Sequence, residues 1–128
     1  MTIAEVSKML DISADTLRYY ERIGLIPPVA RTDGGIRNYE EKDLGWVSFA
    51  KCMRSAGISI EALIEYVALF LQGDDTITTR KQILLDQRDE LIKKIEEMQE
   101  TLSYLNTKID HYEDILVPKE RKLAGENK

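Results

Sequence analysis

The sequence predicts a mainly α-helical fold in which an N-terminal domain, residues 1–72, precedes one long helix over residues 78–117. Two observations support this prediction. The first part contains short amphipathic segments that begin at good N-cap residues and end at glycines. Beyond residue 77, apolar residues recur in steps of three and four, which is the period of a coiled coil. A linker over 73–77 and a charged, frayed tail over 118–128 complete the predicted organisation.

Composition excludes several classes of protein. The 128 residues are 43% hydrophobic and 32% charged, as in an ordinary globular protein. No apolar run is long enough to span a bilayer and no signal peptide begins the chain, so we expect a cytoplasmic protein with no membrane partner. Cys52 is the single cysteine and His111 the single histidine. We therefore expect no intrachain disulfide, no metal site and no cofactor.

The net charge of −5 is distributed unevenly along the chain. Residues 1–58 contain 8 basic and 8 acidic side chains, whereas residues 59–128 contain 10 basic and 15 acidic ones. The neutral first part can still bind a polyanion if its arginines share one face, because phosphate neutralisation depends on local charge.

The first two predicted helices are short and closely linked. The segment MTIAEVSKML begins with a capping box formed by Thr2 and Glu5. A second helix begins after the N-cap Ser13 and ends at Gly24, and only three residues separate the two. On its wheel, the face opposite the apolar stripe carries Arg18, Tyr19 and Arg22. This arrangement predicts a helix-turn-helix whose second helix is a recognition helix.

The segment LIPPVARTDGGIRNY, which follows Gly24, predicts a small β-hairpin. Its two prolines exclude helix, and the sequence DGG predicts the turn. Its arms carry Arg31 and Arg37, with Asn38 and Tyr39 beside the second arginine. The helix-turn-helix is therefore predicted to be followed by an arginine-bearing wing.

Two long stretches, IAEVSKMLDISADTLRYYERIGLIPP and GGIRNYEEKDLGWVSFAKCMRSAGISI, resemble the MerR family of bacterial transcription regulators. The resemblance covers about the first 72 residues. It implies a winged helix-turn-helix, a second wing made of a helix pair, and dimerisation through an antiparallel coiled coil. Family members bind a pseudopalindromic operator in a promoter with an overlong spacer, and they distort that DNA so that RNA polymerase engages. The implied partners are double-stranded DNA, a second copy and, indirectly, the polymerase.

The resemblance also implies the DNA contacts. Arg18 matches the family's base-edge or phosphate contact, and Tyr19 matches a phosphate contact. The remaining implied contacts are Thr16 and Arg22 on the same surface, Arg37, Asn38 and Tyr39 on the wing, and Arg54 near the second wing. The sequence departs from the family at Asp11, where a glycine is usual, but Asp tolerates left-handed backbone angles. The alternative interpretation is that Arg18 and Arg22 form an ordinary solvated helix face.

The predicted long helix has one apolar seam with a heptad period. A helix over 78–116 spans roughly 58 Å, which is too long for the N-terminal domain to cover, so a second copy is the simplest partner. The alternative is a helix folded back on its own chain. The predicted dimerisation residues are Leu84, Leu91, Ile95, Met98, Leu102, Leu105, Ile109, Tyr112 and Leu116.

Cys52 is the candidate sensor. The segment FAKCMRSAGIS resembles the branch of the family that responds to aldehydes and other electrophiles through one thiol. Neighbouring Lys51 and Arg54 favour the thiolate, whereas the C-terminal end of a helix disfavours it. In the alternative interpretation, Cys52 is a small structural hydrophobe and the regulator answers another small-molecule signal.

Two further classes of function share some of these sequence features. A ligand-independent architectural DNA-binding protein would share the winged helix, but the long dimerisation seam favours a regulator. An enzyme with Cys52 as nucleophile is disfavoured, because His111 is distant in sequence and no carboxylate pair or glycine-rich phosphate loop completes a site.

Overall fold

The structure is a computed structural model that describes residues 1–125. It is mainly α-helical, which confirms the predicted fold class. The helices are α1 (Ile3–Leu10), α2 (Ala14–Ile23), α3 (Glu41–Ser55), α4 (Ile60–Gln72), α5 (Ile77–Asp110) and α6 (Val117–Leu123). A 3₁₀ turn, Asp74–Thr76, precedes the long helix α5, and a π-helical turn, Tyr112–Leu116, follows it. The chain forms two compact units, Met1–Asp89 and Glu90–Lys128.

The ends of α1 and α2 follow the local signals in the sequence. The Glu5 amide donates to the Thr2 hydroxyl, and the Thr2 amide donates to the Glu5 carboxylate, which completes the predicted capping box. The Thr16 amide donates to Ser13 Oγ at 3.0 Å. Gly24 ends α2 with φ of 83°, and Asp11 ends α1 in the left-handed region with φ of 52°. The turn between the two helices is therefore built as predicted.

The core of the first unit contains residues from all of the helices α1, α2, α3 and α4. Its aliphatic side chains and two tyrosines are removed from water, and this burial is the main stabilising contribution to the unit. The buried residues are Val6, Leu17, Tyr20, Leu25, Ile26, Val29, Tyr39, Val47, Ala50, Ile58 and Leu63. The two phenylalanines and the tryptophan of the chain lie outside this buried set.

The predicted β-hairpin is not formed as two strands. Within residues 1–125 this segment contains only an isolated antiparallel bridge between Arg31 and Arg37. The Thr32 amide donates to the Ile36 carbonyl at 2.7 Å, and the Asn38 amide donates to the Ala30 carbonyl at 2.8 Å. The arms are too short for a ladder, and the prolines before them lack amide donors. The wing is therefore a tight loop with one bridge.

The predicted helix over 78–117 is interrupted near its end. Helix α5 ends at Asp110, and the π turn then leads into α6. Pro118 supplies the physical reason, because its ring cannot continue a regular helix and a wider turn accommodates it. The prediction of a frayed tail from residue 118 is wrong where α6 covers it. Residues 126–128 of that tail lie outside the described part of the chain.

Candidate DNA-binding surface and sensor thiol

Helix α2 presents a basic and aromatic face to solvent. Arg18, Tyr19 and Arg22 are exposed, while Leu17 and Tyr20 on the opposite side lie in the core. The Arg22 guanidinium lies 5.4 Å from the centroid of the Tyr19 ring, a cation–π distance. Arg18 forms an ion pair at 2.9 Å with Asp15, which is almost fully exposed. Such an exposed pair is weak, so Arg18 remains able to exchange this partner for a phosphate or a base.

Thr16, at the start of α2, is half-buried and bonded locally. Its hydroxyl lies 2.7 Å from Ser13 Oγ, and its amide donates to the same oxygen. This residue therefore shapes the N-terminal end of the recognition helix.

Glu21 connects α2 to the wing and was missed by the sequence reasoning. Its Oε1 accepts a hydrogen bond from Arg37 Nε at 2.6 Å and lies 3.6 Å from an Arg31 nitrogen. Its Oε2 accepts from the buried Val29 amide at 2.9 Å. The Glu21 side chain is only 11% exposed and that of Arg37 is 21% exposed. One carboxylate thus holds both wing arginines next to the recognition helix.

The electrostatics of Glu21 reflect these contacts. Partial burial raises the pKa of Glu21, but the hydrogen bonds from Arg37 and the Val29 amide, with the charges of Arg37 and Arg31, lower it more. The net effect is a pKa below the ordinary glutamate value, so the carboxylate is ionised at neutral pH.

Two of the predicted wing contacts have different surroundings. Tyr39 is 1% exposed, its ring belongs to the core, and its hydroxyl is buried without a hydrogen-bond partner in the described chain. Burial raises the pKa of the Tyr39 phenol. The prediction of Tyr39 as a surface wing contact is corrected accordingly. Asn38 is exposed, and its Oδ1 accepts from the Met1 amino group at 3.1 Å.

Helix α3 is tied to its neighbours by two cations that flank Cys52. Lys51 Nζ donates to the Leu10 and Asp11 carbonyls at 2.6 and 3.0 Å, in the turn between α1 and α2. Arg54 donates to the Ile58 carbonyl between α3 and α4. Cys52 itself is exposed. Both cations are therefore engaged with backbone carbonyls.

The predicted seam lies largely in solvent in the single chain. Met98, Leu102 and Ile109 are 70%, 55% and 60% exposed. Ile95, Leu105 and Tyr112 are also exposed, and Leu84, Leu91 and Leu116 are half-buried. A contiguous exposed apolar stripe is a candidate interaction surface.

The described residues lack a metal-binding cluster and a membrane-spanning helix. Residues 1–125 contain no group of three or more His, Cys, Asp or Glu side chains able to hold a metal ion. No helix within that range has the length and apolar character needed to cross a membrane.

Family comparisons agree with the geometry. The model of the MerR family regulatory protein matches residues 2–43, and the model described as MerR, DNA binding, matches residues 44–108. The chain is 60% identical over 93 residues to the HTH-type transcriptional regulator AdhR of Bacillus subtilis, covering 73% of this chain and 66% of AdhR. It is 33% identical over 112 residues to an HTH-type regulator of Haemophilus influenzae, covering 88% and 83% of the two chains.

Solved structures show the same fold. A MerR family transcriptional regulator from Listeria monocytogenes is 48% identical with a TM-score of 0.86, covering 99% of this chain and 96% of its own. HiNmlR, a MerR family regulator lacking the sensor domain and bound to promoter DNA, is 31% identical with a TM-score of 0.78, covering 97% and 94%. These matched proteins are regulators and not enzymes. Family models, relatives and fold together show that this chain belongs to the MerR family of DNA-binding transcription regulators.

Proposed function

We propose that the chain acts as a homodimer in the cytoplasm. In this proposal it binds a pseudopalindromic promoter operator, distorts an overlong spacer for RNA polymerase, and responds to aldehydes or other electrophiles through Cys52. The observation that carries the proposal is the exposed face of α2 beside the wing arginines, which Glu21 holds in place. Phosphate contacts from arginines on adjacent elements fix the register of a protein on a duplex, while base contacts specify the sequence.

Dimerisation is supported by the seam on α5. The helix extends over 34 residues, about 51 Å, and its apolar side chains in the second half are exposed. Burial of such a stripe against the same stripe of a second copy removes it from water. Two copies would place two recognition helices one helical turn of DNA, or a multiple of it, apart. A symmetric dimer therefore suits a pseudopalindromic operator.

The response to electrophiles is supported by the exposure of Cys52 and by the 60% identity to AdhR, which agrees with the resemblance to the single-cysteine branch. The thiolate would attack the carbonyl carbon of an aldehyde and form an S–C bond. The C=O π electrons move to oxygen, which takes a proton from water, and a hemithioacetal results. The adduct would lie next to Lys51, whose ammonium binds the turn before the recognition helix. In this proposal, the sequence neighbour Lys51 would transmit the modification of Cys52 to the turn before the recognition helix.

The test combines DNA binding with in vitro transcription on the promoter nearest the protein's own gene. Wild type and Cys52→Ser are compared with and without formaldehyde or methylglyoxal, and Ser48→Ala serves as an exposed control on the same helix. We expect all three proteins to bind the operator, and only Cys52→Ser to lose induction. Unchanged induction in Cys52→Ser would refute the proposal that Cys52 is the sensor. Failure of the wild-type protein to bind the operator would refute the proposal that it regulates this promoter.

A further inference from the structure

Four aromatic side chains form a cluster at the surface of the first unit. Trp46 and Phe49 come from α3, and Tyr66 and Phe70 come from α4. The Trp46 ring centroid lies 4.8 Å from that of Phe70 and 6.1 Å from those of Phe49 and Tyr66. These are the separations of packed aromatic rings. The cluster therefore contains both phenylalanines and the single tryptophan of the chain, and none of the three belongs to the buried core.

Three rings of the cluster line a cavity that is widely open to solvent. Its volume is about 300 Å³, and its lining residues are Lys42, Gly45, Trp46, Phe49 and Tyr66. The three aromatic rings of the lining are only half-buried, so they present π faces and edges to solvent. Concave apolar surfaces with a few polar groups are the usual form of small-molecule sites.

Gly45 belongs to the lining and offers a position at which the cavity can be altered. A glycine inside a helix destabilises it relative to alanine, because glycine loses more backbone freedom on folding. A Cβ at this position would meet no atom within 4 Å, and the backbone of Gly45 is not left-handed. Packing within the described chain therefore does not require glycine here. Because Gly45 lines the cavity, a larger side chain at this position is expected to reduce the space available to a guest.

The charges around the cluster select the kind of guest. Lys42 is the charged residue of the lining, and its Nζ lies 3.6 Å from Glu40 Oε2 in a pair whose side chains are 74% and 53% exposed. Such a loose pair leaves the ammonium able to bind an anion. Beyond the cavity, the Arg80 guanidinium lies 5.5 Å from the Phe70 ring centroid. Lys42 in the lining and Arg80 on a ring of the cluster disfavour a cationic guest and favour an anionic one.

We propose that this cavity binds a small planar aromatic carboxylate. The ring of the ligand packs among Trp46, Phe49 and Tyr66, and its carboxylate accepts a hydrogen bond from Lys42 Nζ. The lining includes none of the proposed DNA contacts and does not include Cys52, so the proposal goes beyond the proposed function and does not depend on it.

Trp46 is the single tryptophan of the chain, so its fluorescence reports directly on the cavity. The full chain is titrated without DNA with cinnamate, with neutral cinnamyl alcohol and with the cation phenyltrimethylammonium. We expect a saturable change with cinnamate, which binds about tenfold more tightly than the alcohol. Lys42→Gln should remove this preference for cinnamate and leave the affinity for the alcohol unchanged.

Variants at Gly45 test the location of the site. Gly45→Leu fills the cavity and should abolish binding, and Gly45→Ala, which strengthens the helix, should weaken binding without loss of fold. Ser48→Ala on the exposed side of α3 should bind cinnamate like wild type. Circular dichroism confirms that each variant is folded.

Three results would overturn the proposal. The first is the absence of a saturable change with cinnamate, and the second is tightest binding of the cation. The third is a Trp46 fluorescence signal that does not change with cinnamate but changes when the protein is diluted. That result would indicate that the cavity is in contact with a second copy of the chain. Because DNA is absent from the titration, none of these results bears on operator binding.

Discussion

Replacing Glu21 should loosen the wing and destabilise the first unit. The carboxylate serves two donors with its two oxygens: Oε1 binds Arg37 Nε at 2.6 Å and Oε2 binds the Val29 amide at 2.9 Å. Glu21→Ala leaves both donors unsatisfied in a largely buried place. Glu21→Gln keeps the size of the side chain, but its amide offers one oxygen and one NH₂, so one donor then faces another donor.

The magnitude follows from these contacts. A hydrogen bond to a charged group contributes about 1.5–3 kcal/mol. The two direct bonds, taken at the low end because Arg37 is partly exposed, give about 3 kcal/mol for Glu21→Ala. Glu21→Gln retains one of them and should lose about 1.5 kcal/mol. The contact with Arg31 at 3.6 Å is more exposed and adds little.

The assay is urea unfolding of the full chain at one fixed protein concentration, with unchanged m-values as the condition for comparing free energies of unfolding. The control is Glu65→Gln on the exposed side of α4, which should stay within about 0.5 kcal/mol of wild type. If Glu21→Gln matched this control, the ion pairs of Glu21 would be screened by solvent, and its role in connecting α2 to the wing would be refuted.

The difference in unfolding free energy between wild type and Glu21→Gln should also depend on pH. The pKa of Glu21 is lowered in the folded chain, so its contribution to stability is present above the ordinary glutamate pKa. That contribution is lost as the pH falls through the lowered value. The difference in unfolding free energy between wild type and Glu21→Gln should therefore shrink on acidification. A difference that stayed constant down to strongly acidic pH would contradict the ionised carboxylate.

Three further predictions concern other parts of the molecule. Arg18→Ala should cost about 1–3 kcal/mol of operator binding and reduce discrimination between sequences if Arg18 reads a base; a loss equal for all DNA sequences in gel-shift titrations would assign it to phosphate. Lys51→Met retains the apolar stem but loses two hydrogen bonds to carbonyls of the turn after α1, so urea unfolding should show a loss of about 2 kcal/mol. Leu102→Asp should shift the light-scattering mass from dimer to monomer, whereas Tyr104→Asp, which is exposed but outside the seam, should remain dimeric.

Local sequence signals predicted the helices well, because caps and turns depend on neighbouring residues. Thr2, Ser13 and Gly24 form their predicted contacts within one helical turn. The wing was predicted less well. Its turn and one bridge are present, but a ladder needs residues on both arms to pair over a longer length. Pro118 was predicted to lie in a tail, whereas a π turn accommodates the proline and the helix continues.

The sequence likewise predicted one part of the candidate DNA-binding surface and missed another. The exposed face of Arg18, Tyr19 and Arg22 follows from helical periodicity, which places residues three and four apart on one side. The burial of Tyr39 does not follow from its neighbours in sequence, because the core that covers it is assembled from other elements of the chain.

The sequence by itself therefore determined the order and caps of the helices, the basic face of α2 and the apolar stripe of α5, all of which depend on periodicity and on residues within a turn of each other. The tertiary structure alone decided that Glu21 holds Arg37, 16 residues away, and that Lys51 binds the Leu10 carbonyl, 41 residues away. It also decided that Trp46, Phe49 and Tyr66, which come from α3 and α4, line an open cavity. Such contacts arise only when packing of the core brings distant segments together, so the spacing of residues along the chain does not record them.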